Sequence, residues 1–142
     1  MVAKVFVDAD VVIDFFTDRA PFANSASEIF DLNEQGKLTL YVSAVSINNI
    51  YYIVRKYLDH KQAVQIVEEL TEMVQIVGTT KREIIQALKN DFKDFEDSIQ
   101  YSTALTINGT EAIITRNIKD YEKSEIAVLT PENYLKLKES QD

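Results

Sequence analysis

The stretch VFVDADVVIDFF, Val5–Phe16, decides how the rest of the chain is read. Val5-Phe6-Val7 is short, apolar and mostly β-branched, the composition of a strand buried on both faces. Asp8 ends that strand, and Asp10 and Asp14 follow at once in a segment whose pattern predicts a helix over about 10–16. A carboxylate at the C-terminal end of the first strand of an α/β protein stands where such folds bind ligands. Carboxylates in a tight strand-to-helix turn suit a hard divalent cation, which prefers oxygen donors. A strand-end Asp is also an ordinary helix N-cap, so the stretch needs support from elsewhere in the chain.

Working outward, strands and helices alternate. LTLYV at 38–42, VQIVG at 74–78, AIIT at 112–115 and IAVL at 126–129 read as further strands. Between the first two, Ala26, Ile29, Phe30 and Asn33 share a helical face, and Gly36 suits the C-cap that follows it. Ser43 or Ser46 opens a helix running through Ile50, Ile53, Val54 and Tyr57, and Asp59 caps the next, with Ala63, Ile66, Val67 and Leu70 on its apolar stripe. A helix is expected from Thr80 to about Asn90, and another from Asp94 or Phe95 to the Asn108-Gly109 pair. Thr130-Pro131 starts the last helix, with proline at its first position. This alternation predicts a three-layer α/β/α sandwich with a mainly parallel sheet of four or five strands. Asp8, Ser43 and Thr115 then fall at strand C-terminal ends on one edge.

The 142 residues, 46% of them hydrophobic, suffice for one domain over 1–142 with a central sheet. No apolar run approaches the ~20 residues that cross a bilayer, and Lys4 and Asp8 interrupt any secretory pattern at the N-terminus. A cytoplasmic protein without a membrane role is the expectation. The chain has no cysteine, which removes disulfides and thiolate chemistry, and its single histidine, His60, gives little support to a catalytic triad or a zinc cage. A formal charge of −8 argues against a general nucleic-acid coat. It leaves room for an enzyme that gathers carboxylates for metal and places cations at the rim of its site. Arg55, Lys56, Lys81, Arg82, Lys89, Lys93, Arg116 and Lys119 are candidates for that rim, each competing with the reading of a solvated helix face.

A second acidic cluster, DFKDFEDSIQ at 91–100, and the polar segment ITRNIKD at 114–120 support the first. Hydrolysis of a phosphodiester needs an activated water and neutralised phosphoryl oxygens, and Mg2+ or Mn2+ supplies both. Asp8 from a strand end and Asp97 from a helix are carboxylates from different elements, and the expectation is that they converge at the sheet edge. Asn117, Asn49 or Asp120 would hold water around such an ion.

With those segments in hand, the chain resembles a PIN domain, the nuclease fold that includes the VapC-type toxins of bacterial toxin–antitoxin pairs. The resemblance is carried by VFVDADVVIDFF, VSAVSINNIYYIVRK, DFEDSIQYSTAL and AIITRNIKDYEKSEIAVLTPENYL, in the family's order over essentially the whole chain. It implies a metal-dependent ribonuclease using Mg2+ or Mn2+, an RNA substrate, an antitoxin protein as partner and a homodimer. The family's first Asp falls on Asp8 with Asp10 as its neighbour, its helix-borne third Asp on Asp97, and its fourth polar position on Asn117, with Asp120 one turn on. At the second position the family commonly has Glu, and this chain has Asn49, with Asn48 adjacent. The resemblance thus implies Asp8, Asp97 and Asn117 as catalytic residues, and these with Asn49 and Asp120 as metal-binding.

Simpler roles compete. Asp10 suits the N-cap of the first helix, Asp94 that of the helix bearing Asp97, and Glu96 a solvated neighbour; Asp14 is expected on the solvated side or in a local pair. Ser43 and Ser46 suit caps better than nucleophiles. Two other functions stay open. DADVV superficially matches the DxD motif of haloacid-dehalogenase-type phosphatases, and the neutral Asn49 and Asn117 are compatible with a non-catalytic binding module. The aromatics around Tyr51-Tyr52 and Phe22–Phe30 exceed what the core needs, which predicts an interface between two copies.

Overall fold

Val5, Phe6 and Val7 are each 0% exposed because their strand, β1 (Ala3–Val7), runs through the middle of a sheet covered on both faces. The computed structural model describes residues 2–141. After β1 come helices α1 (Ala9–Thr17) and α2 (Ala23–Glu34), strand β2 (Leu38–Ser43), and helices α3 (Ala44–Val54) and α4 (His60–Met73). Strand β3 (Gln75–Val77), helices α5 (Lys81–Lys89) and α6 (Phe95–Ala104) and strand β4 (Thr110–Ile114) follow, then a 3-10 turn (Ile118–Tyr121), strand β5 (Ala127–Leu129) and helix α7 (Pro131–Gln141).

The sheet has five strands in the order β3-β2-β1-β4-β5, and every neighbouring pair is parallel. The expected three-layer sandwich is therefore present, with five strands, all parallel, among the described residues. Val5 and Val7 face a large core shared with α1, α2, α3 and α4, whereas Phe6 packs with Ile113, Tyr101, Ala104 and Tyr121 under α6. The chain builds β2 and β3 on one side of β1 and then returns to build β4 and β5 on the other. That reversal opens a crevice beyond the C-terminal ends of β1 and β4, the usual ligand site of an open parallel sheet. Among the described residues, no helix is long and apolar enough to cross a membrane.

Local chemistry accounts for most boundaries. At the end of α2 Gly36 takes φ 76°, Lys37 N–H donates to the Leu32 carbonyl and Gly36 N–H to that of Asn33, the paired bonds of a Schellman motif. Asn33 then bridges three elements, receiving Leu40 N–H and donating to the Met73 carbonyl at 2.7 Å.

Three expected helix boundaries need correction. Helix α1 starts at Ala9 and its N-cap is Asp8, whose side chain accepts from Ala9 N–H; Asp10 lies in the first turn. Helix α3 stops at Val54, before Tyr57, where Tyr57 and Leu58 N–H both turn back to the Val54 carbonyl. Helix α6 ends at Ala104, before Asn108-Gly109, where Thr106 and Ile107 N–H turn back to the Thr103 and Ala104 carbonyls and Thr106 Oγ also donates to the Thr103 carbonyl at 2.7 Å.

The aromatics around Phe22–Phe30 also sort differently from expectation. Phe30 is 2% exposed and its ring stacks on Phe15 at 4.1 Å, so it belongs to the core. Tyr52 and Tyr57, by contrast, are 62% and 76% exposed.

Candidate active site

The crevice at the β1–β4 edge is built on register. Val7 pairs with Ile114, so the next residues of the two strands, Asp8 and Thr115, stand side by side. Asp8 N–H donates to the Ile114 carbonyl at 3.0 Å. Its carboxylate accepts from Ala9 N–H at 2.8 Å on Oδ1, and from Thr115 Oγ at 3.0 Å and Tyr121 Oη at 3.1 Å on Oδ2. Burial raises the Asp8 pKa above the ordinary carboxylate value against these bonds, and the negative charge of Asp120 adds to the rise. Tyr121, 1% exposed, is driven well above the ordinary phenol value by burial and then by the charge of Asp8, and stays a donor. Neither Tyr121 nor the hydroxyl of Thr115 was picked out as functional from the sequence. Thr115 carries a sequence signal in its place at a strand C-terminal end on the edge of Asp8; Tyr121 carries none.

Asp10 joins the same site instead of capping the helix. Its Oδ2 accepts from Thr115 Oγ at 3.3 Å, Arg116 N–H at 3.1 Å and Asn117 Nδ2 at 3.2 Å. Its Oδ1 is buried with no hydrogen-bond partner, the single such side-chain atom among the described residues. Burial and then the neighbouring charge of Asp8 push the Asp10 pKa up to about 6. Asp14 overturns its expectation. It is neither solvated nor locally paired: it is 1% exposed and held by Arg116, Nε at 2.6 Å and Nη2 at 3.3 Å. Arg116 is thus not a free rim cation, and its guanidinium also lies 4.1 Å over the Phe22 ring.

Helix α6 brings the second acidic cluster to the same edge. Asp94 is its N-cap, as expected, accepting from Asp97 N–H at 3.0 Å. Burial raises the Asp97 pKa to about 7, helped by the charges of Asp94, Asp120, Asp8 and Glu96. The charge of Asp8 therefore reaches Asp97 across the crevice, and Asp120, in the 3-10 turn, acts on both. Glu96 accepts from Asn49 Nδ2, and burial followed by the charges of Asp94 and Asp8 raises its pKa. Two buried bonds fix α6 against α3: Ser43 Oγ donates to Gln100 Oε1 at 2.6 Å, and Gln100 Nε2 donates to Ser46 Oγ at 2.5 Å. Ser43 also caps α3, so both serines have structural work. Lys93, Lys119 and Lys123 line a cleft with Asp94, Asp97 and Asp120. His60 lies apart, bonded to Tyr51 Oη at 2.6 Å.

The donor set fits a hard divalent cation. Its members are oxygen donors, Asp10 Oδ1 is orphaned, and among the described residues no Lys or Arg forms a salt bridge with Asp8, Asp10 or Asp97. Among those residues no three His, Cys, Asp or Glu side chains already converge as a complete cage. A cation here would rest on few carboxylates with water filling its shell, the usual manner of Mg2+.

The model of the PIN domain matches residues 4–119, and the chain belongs to that family. Ribonuclease VapC1 of Aquifex aeolicus (strain VF5) is 30% identical over 136 residues, covering 92% of each chain. Among solved structures, the DNA-bound VapBC of Salmonella typhimurium superposes with a TM-score of 0.69 at 15% identity, over 92% of this chain and 99% of that one. VapC20 of Mycobacterium tuberculosis, a toxin that cleaves the sarcin-ricin loop, superposes with a TM-score of 0.62 at 15% identity, over 77% and 86%. At such identities these two likenesses concern the fold. Ribonucleases of the PIN family depend on a divalent metal.

Proposed function

We propose that this chain, acting as a single domain, is a metal-dependent endoribonuclease and the toxin of a toxin–antitoxin pair. The observation that carries the reading is the carboxylate edge at the β1–β4 crevice, where Asp8, Asp10 and Asp97 are partly buried without a salt-bridging cation, in a chain 30% identical to a ribonuclease. Asp8 and Asp97 would hold Mg2+ or Mn2+, with Asp120 facing both and Asn117 steadying Asp10. A cation bound there neutralises phosphoryl oxygens and lowers the pKa of the attacking water. Thr115 and Tyr121 fix the Asp8 carboxylate by hydrogen bonds, so it need not reorganise during the reaction. Lys93, Lys119 and Lys123 would meet the RNA phosphates on either side of the scissile bond.

The partner side of the reading has two components. The Salmonella and Mycobacterium relatives are named as VapBC and VapC proteins, which supports a small antitoxin protein as the partner of this chain. A groove lined by Ile13, Phe16, Ile53, Tyr57 and Leu58, beside the exposed Tyr52, supports a homodimer. Light scattering at tens of micromolar should return twice the mass of the chain.

An RNA-cleavage assay with purified protein tests the activity. Cleavage should require added Mg2+ or Mn2+, stop with EDTA, return when metal is restored, and be lost in Asp8→Asn. Cleavage that persists in EDTA, or that survives Asp8→Asn unchanged, would place the chemistry elsewhere.

A further inference from the structure

Two phenylalanines lead into α6, three residues apart and in opposite surroundings. Phe92 is anchored, its ring stacked on Tyr101 at 5.0 Å and meeting Tyr121 edge-on at 6.2 Å. Phe95, the first residue of α6, is 48% exposed and is the one exposed phenylalanine among the described residues. Its ring belongs to neither core cluster, and among those residues no other aromatic ring or cation packs on it. Covering such a ring with another flat apolar face is favourable.

Its place in the chain ties Phe95 to the crevice. It follows Asp94, the N-cap of α6, and precedes Asp97 by two residues, and both of these line the cleft that Lys93, Lys119 and Lys123 share. Two residues of helix are about 200° of rotation and about 3 Å of rise, so the ring and the Asp97 carboxylate leave the same first turn on different sides. The ring flanks the carboxylate edge without covering it. Lys123 lies 3.9 Å from Asp91, whereas Lys93 and Lys119 form no salt bridge among the described residues. The rim of the cleft therefore offers cations for phosphates and, beside them, one bare ring.

We propose that Phe95 is a specificity-determining residue of the nuclease site, its ring stacking on an unpaired base beside the scissile phosphate. This deepens the ribonuclease reading and rests on it. An RNA seated with a phosphate at the carboxylate edge carries a base on either side of that phosphate. A base in a duplex has its faces covered by its neighbours, and only an unstacked one can lie against a side chain. Phenylalanine has no polar atom with which to read a base edge, so Phe95 selects unpaired RNA and tolerates any of the four bases.

RNA binding tests this in the Asp8→Asn protein with Mg2+ present, where RNA should be held and not cut. The probe is a labelled single-stranded RNA of about ten nucleotides, followed by anisotropy. Adding Phe95→Ala should weaken its binding about tenfold and leave the weaker binding of the same sequence in a duplex unchanged. Phe95→Leu, apolar but without a ring, should recover little, and Phe95→Trp should recover the affinity. The chain has no tryptophan, so the new indole is the sole one, and single-stranded RNA should quench its fluorescence saturably. Lys93→Ala should lower the salt dependence of binding by about one in slope, whereas Phe95→Ala should leave the slope as it was. The melting temperature of Phe95→Ala should hold, which separates lost stacking from lost fold. Phe95→Ala within about twofold of its parent, Phe95→Leu equal to its parent, or an indole unquenched at saturation overturns the proposal alone. No RNA binding by the Asp8→Asn protein, together with no metal-dependent cleavage by the wild type, overturns the proposal and the ribonuclease reading together.

Discussion

Asp10 and Asp14 lie one turn apart on α1 and are opposite cases of a buried carboxylate. Asp14, 1% exposed, is neutralised by a two-point bond from Arg116, whose guanidinium also rests on Phe22. Asp10 takes its donors on one oxygen and leaves the other buried and bare. Arg116 serves both, giving its side chain to Asp14 and only its backbone N–H to Asp10. One carboxylate is spent on holding the β4 loop against α1; the other, like Asp8, has no salt-bridging cation and a raised pKa. An unneutralised carboxylate group is tolerated where a cation or a proton is meant to arrive. Like carboxylates on one helix thus part into a structural class and a functional class by their partners alone.

That division can be broken most directly at Arg116. Arg116→Ala strands the buried Asp14 charge and should destabilise the protein by about 3–5 kcal/mol, read from urea unfolding of the metal-free form. Arg116→Lys should recover only part, because an ammonium cannot reproduce the two-point bond. A loss below about 1 kcal/mol would mean the pair is not structural.

The functional class is sharpened by Asp8→Asn. RNA cleavage should fall by about a hundredfold or more through loss of a metal-holding charge. Stability of the metal-free form should hold or rise, since burial already disfavours the Asp8 charge. A stability loss like that of Arg116→Ala would move Asp8 into the structural class. Tyr121→Phe removes one donor from Asp8 and should cost about tenfold in cleavage rate, with a stability change of about 1 kcal/mol. An unchanged rate would show that Thr115 and Ala9 N–H suffice to orient the carboxylate.

The smallest effect is a pH dependence. Burial and like charges raise the Asp97 pKa to about 7 from 3.8. With the folded value above the unfolded one, the proton favours the fold; that stability is complete below about pH 4 and is lost as pH rises through 7. Between about pH 5 and 8 the metal-free wild type should lose a few degrees more than Asp97→Asn in thermal melts. Mn2+ affinity should rise over the same window as the proton leaves. Parallel melting curves for the two proteins would remove Asp97 from the coupled cluster.

Asn49 and Glu96 show how the two kinds of information divide. Both residues were visible in their helices, Asn49 in the segment opened by Ser43 and Glu96 in the turn capped by Asp94. Local pattern assigned one to a missing carboxylate and the other to solvent. The bond between them spans 47 positions, and the helix packing that makes it depends on Ser43 and Gln100, 57 positions apart. Glu96 is exposed as expected, whereas pattern misread Asp14, because its partner lies 102 positions away.

The sequence by itself determined the alternation of strands and helices, the caps at Ser43, Asp59 and Asp94, the turn at Gly36 and the arrival of Asp8 at a strand end. These follow from side-chain period and backbone hydrogen bonding within a few residues, which a chain carries with it wherever it packs. Only the tertiary structure decided that Arg116 would neutralise Asp14, that Tyr121 would reach Asp8 across 113 positions, and that Asn49 would bond Glu96. Those outcomes depend on strand register and helix rotation, and a shift of one residue or a fraction of a turn would exchange a paired carboxylate for a bare one.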